Sequence, residues 1–75
     1  MGTKLQTGTL HKLFGQRIVE LRKKKGLTQE DLCDSIGVDR SYMGFIERGE
    51  RNPTLDKIGK IADALGVSLK ELFDF

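Results

Sequence analysis

"LTQEDLCDSIGVDRSYMGFIERG", residues 27–49 of a 75-residue chain, decides the fold. Thr28 followed three residues later by Asp31 is the pattern of a helix start. The hydroxyl accepts from the backbone N–H three residues on, and the carboxylate reaches back to the first residue's N–H. Leu32 and Ile36 then recur at helical spacing, and Gly37 stops the run. Asp39 restarts the chain as the cap of another short helix, which runs to about Arg48 before Gly49 ends it. Each run is about ten residues or shorter, too short to be stable alone in water. Joined only by "GVD", the two helices must cross steeply rather than run antiparallel. A close crossing needs a small residue, and Cys33 supplies it opposite Met43 and Ile46. Gly37 gives the turn a backbone freedom that a side chain would deny. This is the recipe of a helix-turn-helix unit spanning about residues 28–48.

The flanks fit around that unit. Residues 1–9 carry no apolar period and read as a flexible arm. Leu10, Leu13, Phe14, Ile18 and Leu21 then fall on one helical face, and "RKKKG" closes that helix with cations at its negative end. Pro53 and Thr54 mark the start of a further helix, with Leu55, Ile58, Ile61, Ala62 and Leu65 as its apolar stripe. Ser68 with Glu71 reads as a capping box opening a short last helix. No segment carries a strand pattern. The expected architecture is all-α, a compact five-helix domain over residues 10–75.

Composition narrows the function. At 32% charged and 37% hydrophobic residues the chain belongs with folded domains rather than disordered ones. A domain of this size buries only about 60% of its unfolded surface and has no room for separate catalytic and substrate domains. The net charge of +2 is too small to name a partner, so its distribution has to. A single cysteine excludes an internal disulfide and fits a cytoplasmic location. No apolar run reaches the length of a membrane span. His11 has no spaced cysteine or histidine partners, and the carboxylates are scattered among cations. No metal, cofactor, small-molecule ligand or catalytic residue is therefore expected.

The third helix, drawn as a wheel, turns Met43 and Ile46 inward. Ser41 and Arg48 lie opposite, flanked by Gly44 and Phe45, with Arg40 in the exposed first turn. A helix braced by its neighbours and presenting its first turn suits the major groove of DNA. There Arg40 would read guanine O6 and N7, a contact worth about 1–3 kcal/mol of discrimination. Ser41 would meet a base edge or a phosphate, and Tyr42 a phosphate or a thymine methyl. Phe45 has two placements, against thymine methyls or tucked against the second helix.

Residues 27–73 also carry a resemblance. Gln29, Cys33, Gly37, Met43 and Ile46, with "DRSY", "IERGERNP" and "LGVSLKELF", resemble the Cro/C1-type (Xre family) helix-turn-helix regulators. The stretch is particularly similar to the short controller proteins of restriction–modification systems, and the match covers about residues 13–73. It implies a lambda-repressor-like fold and a phosphate contact at Gln29. It implies base or phosphate readers at Arg40, Ser41 and Tyr42, and backbone or minor-groove contacts from Arg48, Arg51 and Asn52. An ion pair between Arg22 and Glu47 would brace the first helix against the third. Gly44 and Phe45 depart from the polar residues commoner there, and a glycine inside a helix costs about 1 kcal/mol against alanine.

The residues of "LFDF" leave two readings open: Leu72 and Phe73 close the core while Phe75 frays, or Leu72, Phe73 and Phe75 make a two-fold contact. The resemblance favours a homodimer on a palindromic operator, with half-sites roughly 34–36 Å apart. The function expected is that of a sequence-specific, DNA-binding transcriptional regulator, blocking or recruiting polymerase according to where its site lies, with the phage-repressor type as the nearest rival within the class. The rivals are a protein-interaction module on the same fold and an antitoxin-like partner-binding protein.

Overall fold

The computed structural model describes residues 7–75, and among these every regular element is a helix. In chain order they are α1 (Thr7–Lys24), α2 (Gln29–Ile36), α3 (Arg40–Glu47), α4 (Leu55–Leu65) and α5 (Leu69–Leu72). α1 begins at Thr7, so Thr7, Gly8 and Thr9 belong to a helix rather than to the expected arm. Residues 1–6 of that arm lie outside the described residues. No described helix is long and apolar enough to cross a membrane.

Thr28 and Asp31 exchange both bonds of the capping box, at 3.0 and 2.9 Å. Accepting the Thr28 backbone N–H, and then the Thr28 side chain, lowers the Asp31 carboxyl below the ordinary aspartate range. Two other expected caps come out weaker. Asp39 has the extended backbone of an N-cap but makes no side-chain capping bond. Ser68 accepts from the Glu71 N–H at 3.0 Å, so α5 carries a serine cap without the reciprocal carboxylate bond.

Five helices share one core. α1 contributes Phe14, Ile18 and Leu21; α2 contributes Leu32, Cys33 and Ile36; α3 contributes Met43 and Ile46. Ile61, Ala62 and Leu65 of α4 and Leu72 of α5 complete it. Leu55, expected on the α4 stripe, is instead 80% exposed. It is the first residue of α4, where the stripe has already run past the end of the core. α1 packs on α3 and α5, α2 on α3 and α4, and α4 on α5. The turn between α2 and α3 passes through Gly37 at φ 72°, a left-handed conformation that a residue with a Cβ adopts at a cost.

Two close approaches position α3. A Cβ at Gly15 would meet the Ile46 carbonyl oxygen at 2.5 Å, and the Glu47 carbonyl oxygen closer still. A Cβ at Gly49 would sit 2.8 Å from Lys12 Cγ. The C-terminal end of α3 is thus seated against bare backbone of α1. Arg17 supplies a second clasp: its Nε and Nη2 donate to the Glu71 carbonyl oxygen at 3.0 and 2.9 Å, tying α1 to α5.

Candidate nucleic-acid interface

α3 is held from behind and bare in front. Met43 and Ile46 are buried, while Arg40, Ser41, Phe45 and Arg48 are exposed. Behind it, Arg22 and Glu47 form an ion pair, with Nε–Oε2 at 2.9 Å and Nη2–Oε1 at 3.3 Å. The pair is largely shielded, its side chains being 12% and 8% exposed. Arg22 Nη1 also donates to the Leu27 carbonyl oxygen at 3.0 Å, so the same guanidinium fixes the chain entering α2. Gln29 Nε2 adds a further bond to Glu47 Oε1 at 2.9 Å. One carboxylate on α3 therefore gathers α1 and the start of α2.

Cys33 sits under the crossing of α2 and α3, 2% exposed, its thiol donating to the Asp39 carbonyl oxygen at 3.6 Å. Burial first, then the Asp34 and Glu47 carboxylates, push the thiol pKa upward. That environment keeps it a neutral packing group, not a nucleophile.

In front, Gln29, Arg40, Ser41, Gly44, Phe45 and Arg48 line one open depression of about 360 Å³. Beside it a groove of about 420 Å³ is lined by Val38, Asp39, Ser41, Tyr42, Phe45, Arg51 and Lys57. Asn52 is exposed but lines neither. Phe45 is 40% exposed and stands between the two, on the outer face rather than tucked away. The Arg48 and Arg51 guanidiniums lie 5.1 and 6.0 Å from its ring centre, and Arg51 lies 5.4 Å from that of Tyr42. Tyr42 itself is half-buried against the core.

Acidic residues attend two of the arginines. Arg40 pairs with Glu30 at 3.5 Å, both about two-thirds exposed, and Arg48 pairs with Glu50 at 3.1 Å. Exposed pairs of this kind are worth little, about 0–1 kcal/mol, so a phosphate or base edge displaces them readily.

Several expectations change here. Gly44, expected among the outward residues, is buried, and what covers it is the Arg48 side chain. Leu72 is 0% exposed inside its own chain's core and cannot itself be part of a dimer face. Phe73 is 42% exposed and stacks on Phe14 with ring centres 5.0 Å apart, while Phe75 is 49% exposed and 6.1 Å from Phe73. Leu69, not singled out from the sequence, is 53% exposed on the same short helix. Lys57 was also overlooked. Its signal is a cation in the first turn of α4, the end of a helix that disfavours positive charge unless a partner is to hand.

Two short helices joined by a tight left-handed turn, with an arginine-rich outer face and a largely shielded ion pair behind it, define a helix-turn-helix domain of the Cro/C1 type. The chain belongs to the HTH_3 helix-turn-helix family, which it matches over residues 18–72, and with it to the Xre-type transcriptional regulators. It is 44% identical over 70 residues to control protein C.BamHI of Bacillus amyloliquefaciens, across 92% of this chain and 86% of that protein. It is 38% identical over 63 residues to the regulator SinR of Bacillus subtilis (strain 168), across 83% of this chain and 57% of that one. The crystal structure of the restriction-modification controller protein C.AhdI from Aeromonas hydrophila shares the fold with a TM-score of 0.79 at 55% identity. The match covers 85% of this chain and 96% of that one.

Proposed function

We propose that the protein is a cytoplasmic, sequence-specific regulator that binds a palindromic operator as a homodimer, with α3 in the major groove. The observation that carries this reading is the single depression that unites Gln29, Arg40, Ser41, Gly44, Phe45 and Arg48 over the exposed face of α3. Arg40, in the first turn and 65% exposed, is free to exchange Glu30 for the O6 and N7 acceptors of guanine. Ser41 beside it meets a base edge, and Tyr42 a phosphate. Gln29, with one amide hydrogen committed to Glu47, has a second donor for a phosphate at the start of α2. Arg51, Asn52 and Lys57 hold the sugar-phosphate backbone on the far side. Occupancy of the operator is the whole mechanism: it blocks or recruits polymerase according to where the site lies.

Selection of sites from a random double-stranded DNA pool at near-physiological salt tests this. An enriched inverted repeat with half-sites about one helical turn apart is expected. Arg40→Ala should flatten the preference while leaving the helical spectrum intact; a motif unchanged in that variant would remove Arg40 from the readers. The exposed rings of Phe73 and Phe75, with Leu69 beside them, are the proposed two-fold contact. Phe75→Ser, at a terminal residue, should shift sedimentation toward the monomer. An unchanged mass would place the contact elsewhere.

The alternative, a protein-docking module centred on Phe45, is disfavoured by the two guanidiniums over that ring. They make the patch cationic rather than apolar, and binding there should weaken steeply with salt.

A further inference from the structure

Arg48 belongs by sequence to the end of α3, as its C-cap, yet its guanidinium lies elsewhere. A Cβ on Gly44 would meet Arg48 Nη1 at 3.2 Å, with the Arg48 Cζ and Nη2 next at 3.9 Å. The side chain therefore runs back one turn along the outer face and lies close over the position that a Cβ at 44 would take. Phe45 supplies a shelf, its ring centre 5.1 Å from the guanidinium carbon. Glu50 accepts from Nε at 3.1 Å, an exposed contact that favours this placement without locking it. Among the described residues neither Nη1 nor Nη2 has an acceptor, and Arg48 lines the depression that it shares with Arg40 and Ser41.

We propose that Gly44, Phe45 and Glu50 form a cradle that carries the Arg48 guanidinium from the end of α3 to its middle, making Arg48 a second base reader and Gly44 a positioning residue for it. This rests on the DNA-reading function above and deepens it. Arg48 then presents a planar, two-donor fork, the geometry that matches guanine O6 and N7, beside the fork of Arg40. A lysine cannot replace it, because an ammonium has neither the plane nor the fork. The glycine inside the reading helix, unfavourable for the helix, acquires a purpose: it is the gap through which the arginine passes.

The test is a set of variants, Arg48→Ala, Arg48→Lys, Gly44→Ala and Gly44→Ala/Arg48→Ala, each carried through site selection and titration on the wild-type site and on unrelated DNA. Arg48→Ala should weaken binding to the wild-type site about tenfold or more and erase one base preference per half-site. Arg48→Lys should keep affinity for unrelated DNA and its salt dependence but lose that same preference. Gly44→Ala should fold at least as stably as wild type, since only the flexible end of a side chain must move. It should nonetheless weaken the same base preference, since the guanidinium must shift by a few tenths of an ångström, and add nothing to the loss in the Arg48→Ala background.

Wild-type preferences retained by Gly44→Ala, or equal losses on all DNA from Arg48→Ala, would overturn the cradle while leaving the DNA-reading function standing. A wild-type protein that enriches no site would overturn both.

Discussion

Gly15→Ala should lower the melting temperature by roughly 10–20 °C, the equivalent of about 2–3 kcal/mol of overpacking in a domain this small. The added methyl has no flexible neighbour to push aside. It meets the backbone carbonyl oxygens of Ile46 and Glu47, so either α1 lifts off the end of α3 or the last turn of α3 distorts. Both responses disturb the seating of the reading helix. Gly59→Ala is the matched control, because a Cβ there meets nothing within 4 Å. It should stabilise by about 0.5–1 kcal/mol, the ordinary gain on removing a glycine from a helix. Thermal melts of the two variants check the pair. Equal melting points would mean that α1 is not seated on bare backbone at Gly15.

The second large effect concerns the charge cluster behind α3. Arg22→Ala should cost about 3–5 kcal/mol, since it strands the Glu47 carboxylate in a site that water barely reaches. The lost groups are specific: two donors to Glu47 and one to the Leu27 carbonyl. Arg22→Met/Glu47→Leu, which removes both charges and keeps the bulk, should recover most of that stability. Its binding to DNA should remain impaired, because Gln29 loses the carboxylate that orients it. Urea titration of the single and double variants decides the matter. If the double variant is as unstable as Arg22→Ala, the pair is a stabilising interaction in its own right and not a positioning device.

Much of this molecule is legible along the chain, and the reason is local. The Thr28–Asp31 box, the stripe of Phe14, Ile18 and Leu21, and the glycine at 37 act through neighbours three or four residues away. What escapes is set by the third dimension. Leu55 obeys the helical period but lies beyond the end of the core, which no periodicity reveals. Gly15 looks like a defect in α1 until α3 is placed against it. The wheel puts Gly44 on the outer face correctly as an angle, yet it cannot show a side chain from the next turn lying across it. Arg17 likewise has its partner far off in sequence, at Glu71, and Lys57 lines a groove with Tyr42 from another helix.

The clasp of Arg17 on the Glu71 carbonyl has a consequence for how the molecule opens. α5 has four residues, too few to persist on its own hydrogen bonds. Its order is borrowed from α1, through that guanidinium, the Phe14–Phe73 stack and the plug of Leu72. It is the element suited to detach in a sub-global opening that leaves α2 and α3 closed, with amide protons exchanging there first. The exposed rings at the C-terminal end would vanish as a surface in that opening, while the face of α3 stayed intact. The two ends of this small domain are thus built to fail separately.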